Sequence, residues 1–153
     1  QIAWMNFEYD RLKQLCGDEL ATTYIQQLES LKLKHGQNKM SDFDLQSIVI
    51  NSIKQNSDIV EIGVILKVSF YDYVIDTNTN KVTRGNKHSK LTNTYSLVYT
   101  RGISDKVKCP KCGGILDANK GDVCPYCRTK LNVVGTNYKL SKKGRIQDKR
   151  NYY

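Results

Sequence analysis

The chain has 153 residues, 39% of them hydrophobic and 25% charged. That composition buries one medium domain, or a small one with an appendage, and excludes global disorder. No run approaches the about 18 apolar residues of a membrane helix, and no signal-peptide pattern opens the chain. The net charge of +9 belongs to the second half: residues 1–76 carry seven Lys/Arg against eleven Asp/Glu, residues 77–153 seventeen against four. Such asymmetry points to an anionic partner (nucleic acid, phospholipid or an acidic protein) or to a solubilising surface.

The chain opens on Gln1-Ile2-Ala3-Trp4, helical in character and without an initiator Met, which reads as a piece of a longer protein. Ile2, Met5, Tyr9, Leu12 and Cys16 form a helical stripe that Gly17 ends, predicting one helix. Asp18 caps a second helix, whose stripe runs through Leu20, Tyr24, Leu28 and Leu31 to about Lys34. Trp4 and Phe7 lie off the first stripe and widen its core face, and Cys16 reads as a packed thiol. Residues 35–39 are a polar break. Phe43 to Leu45 and Ile48 to Ile50 suggest a first strand of ambiguous phase.

The strongest pattern is Ile59 to Asp76. Val60, Ile62, Val64, Leu66, Val68 and Phe70 alternate with more polar residues, the period of a half-buried strand. At Tyr71 the phase flips, which predicts a bulge in this strand near Tyr71-Asp72, with Asp72 facing out at a sharp bend. A turn follows at 77–80. Lys81 to Lys87 read as an exposed arm, and Leu91, Tyr95, Leu97 and Tyr99 as another strand. Helices followed by an antiparallel meander make the class α+β.

Trp4, Met5, Phe7 and Tyr9 ahead of Leu12, the stretch Asp18-Glu19-Leu20 with Tyr24 and Leu28, the run Phe70 to Tyr73, and the closing strand with Arg101 together resemble the Tim44-like domain, a family named for the mitochondrial import-motor tether. The resemblance covers about residues 2–104. It implies N-terminal helices packed on a strongly curved antiparallel sheet, a cone like that of nuclear transport factor two, with an apolar pocket between the layers. It also implies membrane association and brings no catalytic residue. Leu66, Phe70, Tyr95, Trp4 and Phe7 are the expected pocket residues. The expected division is 1–105 for this domain, 106–134 for a zinc ribbon and 135–153 for a basic C-terminal segment.

Cys109-Pro-Lys-Cys112-Gly113 and Cys124-Pro-Tyr-Cys127 are two CxxC knuckles separated by eleven residues. Two residues between cysteines let both sulfurs face one ion, and two knuckles complete the tetrathiolate that structural zinc takes. Gly113 lets the backbone turn back past the sulfurs. A dithiol redox pair wants a βαβ junction, an iron–sulfur cluster a different spacing, and disulfides an oxidising compartment. One structural Zn²⁺ per chain, held by Cys109, Cys112, Cys124 and Cys127, is therefore expected, with no open position for hydrolysis.

The end from Tyr138 carries Lys139, Lys142, Lys143, Arg145, Lys149 and Arg150 against Asp148. These are candidate contacts to phosphates or anionic headgroups, or else a solvated tail pinned by Tyr138 and Leu140. His35 and His88 sit in polar, loop-like surroundings, and no nucleophile elbow, phosphate loop or metalloprotease motif is present. A pocket enzyme using Asp72 is the remote alternative. The leading expectation is a non-enzymatic binding or tethering domain with a protein or membrane partner and no small-molecule substrate, facing the cytosol and anchored by a segment outside this chain. A ribosome- or nucleic-acid-associated module is the runner-up.

Overall fold

The computed structural model describes residues 1–131 and 133–146. Three helices lead: α1 (Ile2–Met5), α2 (Tyr9–Leu15) and α3 (Asp18–Leu33). The first stripe is thus two helices rather than one. Phe7 takes a left-handed φ of 57°, and the Glu8 N–H donates back to the Ala3 carbonyl at 2.8 Å. This turn lets Ala3, Leu12 and Leu28 close into one buried cluster, with Trp4, Phe7, Tyr9, Tyr24 and Ile25 around it. Trp4 meets Tyr24 edge to face at 5.3 Å, a geometry the ring quadrupoles favour. Gly17, not Asp18, holds the N-cap position of α3, and Asp18 and Glu19 lie in its first turn, where the helix dipole favours acids.

The helices pack on a four-stranded antiparallel sheet of order β1-β2-β3-β6. Its strands are β1 (Gly36–Gln55), β2 (Ile59–Asp76), β3 (Val82–Gly102) and β6 (Lys139–Ile146), with a separate two-stranded piece of β4 (Lys106–Lys108) and β5 (Ile115–Asp117). The polar break at 35–39 falls largely inside β1. The expected exposed arm at Lys81 to Lys87 is largely the start of β3, where Val82 and Arg84 pair with Ile75 and Val74.

The phase of β2 does not flip. Val60, Val64, Val68, Phe70 and Val74 are all buried, and all share one parity, so Asp72 stands on the same face as Phe70 and Val74. The extra residues lie in the two neighbours. On one side Ser41 pairs with Tyr71 and Asp44 with Ser69, which leaves Asp42, at φ 53°, and Phe43 against Phe70 alone. On the other, Phe70 pairs with Leu91 and Asp72 with Asn86, so residues 87–90 loop out beside Tyr71. Bulges flanking one level bend the sheet there. The expected bend is therefore real, but its cause sits outside the strand that suggested it. Gly85, at φ +80°, completes the level: a Cβ on it would lie 2.4 Å from the Asp72 carbonyl oxygen.

After Gly102 the chain leaves the sheet, builds the cysteine module, and returns beside its point of departure. The Gly102 N–H donates to the Gly135 carbonyl at 2.7 Å, and a Cβ on Gly102 would meet the Val134 carbonyl oxygen at 2.2 Å. The segment from 135 onward then supplies β6, which pairs with β3 from Thr94↔Ile146 to Thr100↔Lys139. Gly17 at the start of α3 donates to the Leu140 carbonyl at 2.9 Å, tying the helices to this last strand.

Candidate metal centre and binding cleft

The two cysteine knuckles have matching backbones. The Cys109 N–H donates to the Gly114 carbonyl and the Gly113 N–H to the Cys109 carbonyl, both at 2.9 Å; Cys124, Arg128 and Thr129 repeat this at 2.9 Å each. The fourth residue after each leading cysteine is left-handed, Gly113 at φ 73° and Arg128 at φ 61°. Each knuckle thus presents two sulfurs on one side.

All four sulfurs lie within 4.8 Å of one another. Cys109 and Cys127 are 3.7 Å apart at sulfur, as are Cys112 and Cys124. That is far longer than a disulfide, at about 2.05 Å. It matches the edge, about 3.8 Å, of a tetrahedron of sulfurs around zinc at about 2.3 Å. N–H groups of Cys112 and Lys111 hold the Cys109 thiol below its ordinary value, and the Thr129 hydroxyl pulls Cys127 down to about 6. Against the lowering effect of the Gly114 N–H, burial and the neighbouring sulfurs lift Cys112 to about 11. The donor set can hold one metal ion, whose charge would relieve that crowding. Cys109 and Cys124 form a small core with Leu116 and Leu131, joined by Val107 and Val133.

Between the helices and the bent sheet lies a cleft of about 770 Å³. Its helical wall includes Trp4, Tyr24 and Leu31, its sheet wall Phe70, Leu91, Tyr95, Tyr99 and Leu140, and its charged groups are Asp72, Arg84, Lys143 and Arg145. Of the expected pocket residues, Trp4, Phe70 and Tyr95 line it. Leu66 and Phe7 do not. Leu66 pairs with Ile48 and Tyr95 farther along the sheet, and Phe7 turns into the helical cluster instead.

Asp72, expected to face out, lines the cleft. Asn38 holds it there: the Asn38 side-chain amide donates to Asp72 Oδ1 at 2.7 Å and to the Tyr73 carbonyl at 3.0 Å, while Trp4 Nε1 donates to Asn38 Oδ1 at 3.1 Å. Lys143 Nζ sits 4.5 Å from the Tyr95 ring centroid, a cation–π contact. Burial lowers the Lys143 pKa, opposed by Asp72 and Cys16. Burial pushes Tyr24 up to about 12.

The basic candidates divide. Lys143 and Arg145 line the cleft. Lys142, exposed on β6, is outside that lining, and Lys139 Nζ donates to the Lys13 carbonyl at 3.2 Å. Lys149 and Arg150 lie outside the described residues. Arg84 and Asn38 belong to the cleft and carried no sequence signal, since each follows a register set by bulges. Tyr99 did carry one, as a residue on an apolar stripe, and Leu140 only as a residue pinning the basic end to the body.

An α+β domain whose helices and bent antiparallel sheet enclose an aromatic cleft, with a four-cysteine knuckle pair that fits a zinc ribbon, is the class these features define. The chain belongs to the Tim44-like domain family: the family model matches residues 1–108, ending just before Cys109. Among solved structures it is similar to the intermembrane-space region of the chloroplast protein ARC6, with a TM-score of 0.49 and 10% identity over 95% of this chain and 83% of that one. No curated protein matches the chain. Among the described residues, no helix is long and apolar enough to cross a membrane.

Proposed function

We propose that this is a non-enzymatic binding domain of a membrane-associated protein, whose cleft receives a segment of a partner protein bearing apolar residues beside an acidic group. One observation carries this: the cleft sets Lys143 and Arg145 beside Phe70, Tyr95 and Tyr99. Aromatic walls supply area, and a partly desolvated cation selects a negative charge that would otherwise stay in water. Asp72 serves as an anchor for Asn38 rather than as an acid in turnover. Because Lys139 to Arg145 belong to a paired strand, and Lys143 and Arg145 within it line the cleft, these cations are held in place instead of trailing along a phosphate backbone, which favours protein over nucleic acid.

The metal is zinc, one per chain, held by Cys109, Cys112, Cys124 and Cys127 in a structural role, since four thiolates fill a tetrahedral shell. Reduced thiols suit a cytosol-facing compartment. Residues 1–105, 106–134 and 135–153 are proposed as binding domain, zinc ribbon and basic segment, with the last lending the strand Lys139–Ile146 to the sheet of the first.

A display selection of random peptides against the whole chain tests the cleft. Enriched peptides are expected to combine aromatic or aliphatic residues with Asp or Glu, and to lose binding at least about tenfold with Lys143→Glu. Peptides that bind the variant as well as the parent would remove the cleft from the interaction.

A further inference from the structure

We propose that β1 is a dimerisation edge, and that its occupant is β1 of a second copy, paired antiparallel about a two-fold axis through Val49. β1 is an outer strand of the sheet. Leu45, Ile48, Val49, Ile50 and Ile53 are 55% to 67% exposed, and residues 45–53 contain no charge and no proline. Natural edge strands are normally blunted by just those residues.

The two bulges inside this stretch do not spoil its apolar face, because one adds a residue to the span from Leu45 to Ile48 and the other a residue to the span from Ile50 to Ile53. Register shifts fall between Leu45 and Ser47 and between Ile50 and Ser52, and they keep Leu45, Ile48, Ile50 and Ile53 opposite Val68, Leu66, Val64 and Ile62. These four apolar residues therefore share the cleft face, and their spacing is a palindrome about Val49. Pairing two copies there sets Val49 against Val49, Ile48 against Ile50 and Leu45 against Ile53. It also sets Asp44 against Lys54 twice. Asp44 and Lys54 lie opposite Ser69 and Glu61 of β2, on the other face of the sheet, so each charge meets its opposite on its own side. Asp44 already bonds Lys90 Nζ at 2.5 Å, yet its side chain stays 64% exposed.

Registers displaced by one residue either way set Leu45 against Ser52 or Lys54 and break the Asp44 to Lys54 match. A bilayer needs no register at all, so this self-match favours a second copy. The exposed apolar surface, on the order of several hundred Å² per copy, approaches the about 800 Å² per partner of a standard interface. A two-fold axis perpendicular to the sheet joins both sheets into one of eight strands, with both clefts opening on the same side.

Sedimentation velocity on the full chain, carried to about 100 µM, reads this directly. The parent chain is expected to dimerise, Asp44→Lys and Lys54→Asp each to weaken the dimer about tenfold or more, and the double exchange to restore it. Val49→Cys should give a reducible cross-linked dimer under mild oxidation, well above the parent's background. Ser47→Cys, two residues off the axis, should not. A parent chain that stays monomeric, a folded double exchange that fails to recover, or equal cross-linking by the two cysteine variants overturns the proposal. A monomer that binds phosphatidylglycerol vesicles through Ile48 and Ile50 overturns it too, and assigns the face to a membrane.

Discussion

Gly113 and Arg128 occupy the same place in the two knuckles with opposite tolerance for it. A left-handed residue bearing a Cβ is strained by roughly 1 kcal/mol, and glycine is not. Arg128→Gly is therefore expected to raise, and Gly113→Ala to lower, the stability of the cysteine module by about 1 kcal/mol, read as a shift in the chelator concentration at which metal is released. Asn38 holds Trp4, Asp72 and the Tyr73 carbonyl together. Asn38→Ala strands the Asp72 carboxylate and the indole N–H, and should cost about 1–3 kcal/mol in a denaturant titration. Neither Asn38 nor Arg84 was legible in the sequence, because a polar residue in a strand advertises no partner. The four cysteines were legible at once, since their chemistry depends on spacing along a tight turn rather than on distant packing.

At the scale of elements, the alternation of β2 was plain, and so was the coming bend. What misled was the residue at the bend: Asp72 broke an apolar series without leaving its face, because Asn38 supplied the hydrogen bond that makes a polar group tolerable there. Alternation reports which residues are apolar; it does not report a partner 34 positions away. β1 was underestimated for a related reason. Its bulges spoil the period of two, so a strand of 20 residues looked like two short apolar runs. Among the described residues, the core cluster of the cysteine module joins Cys109, Leu116, Cys124 and Leu131, two of them cysteines and too small a set to order about 30 residues unaided. A strong chelator should release about one zinc per chain, and should melt the amide signals of this module first in an NMR titration. Metal-free protein with the module's signals intact would sink the assignment.

At the scale of the molecule, the family's α+β plan was readable because helices, meander and aromatic stripes agree with one another. The role of the basic end was not. Tyr138 to Ile146 read as a charged tail, yet Leu140, Lys143 and Arg145 finish one wall of the cleft, and only the pairing with β3 reveals it.

That pairing links metal supply to the shape of the cleft. β6 must find β3 across the whole stretch from Gly102 to Lys139, and a loop of that length is entropically costlier to close than a short one. With the knuckles locked around an ion, most of the stretch is already ordered and the effective loop shrinks to about ten residues, easing closure by about 1 kcal/mol. Cells short of the metal would thus hold a larger share of chains with an unfinished wall, about five times more in the undocked form at that free energy.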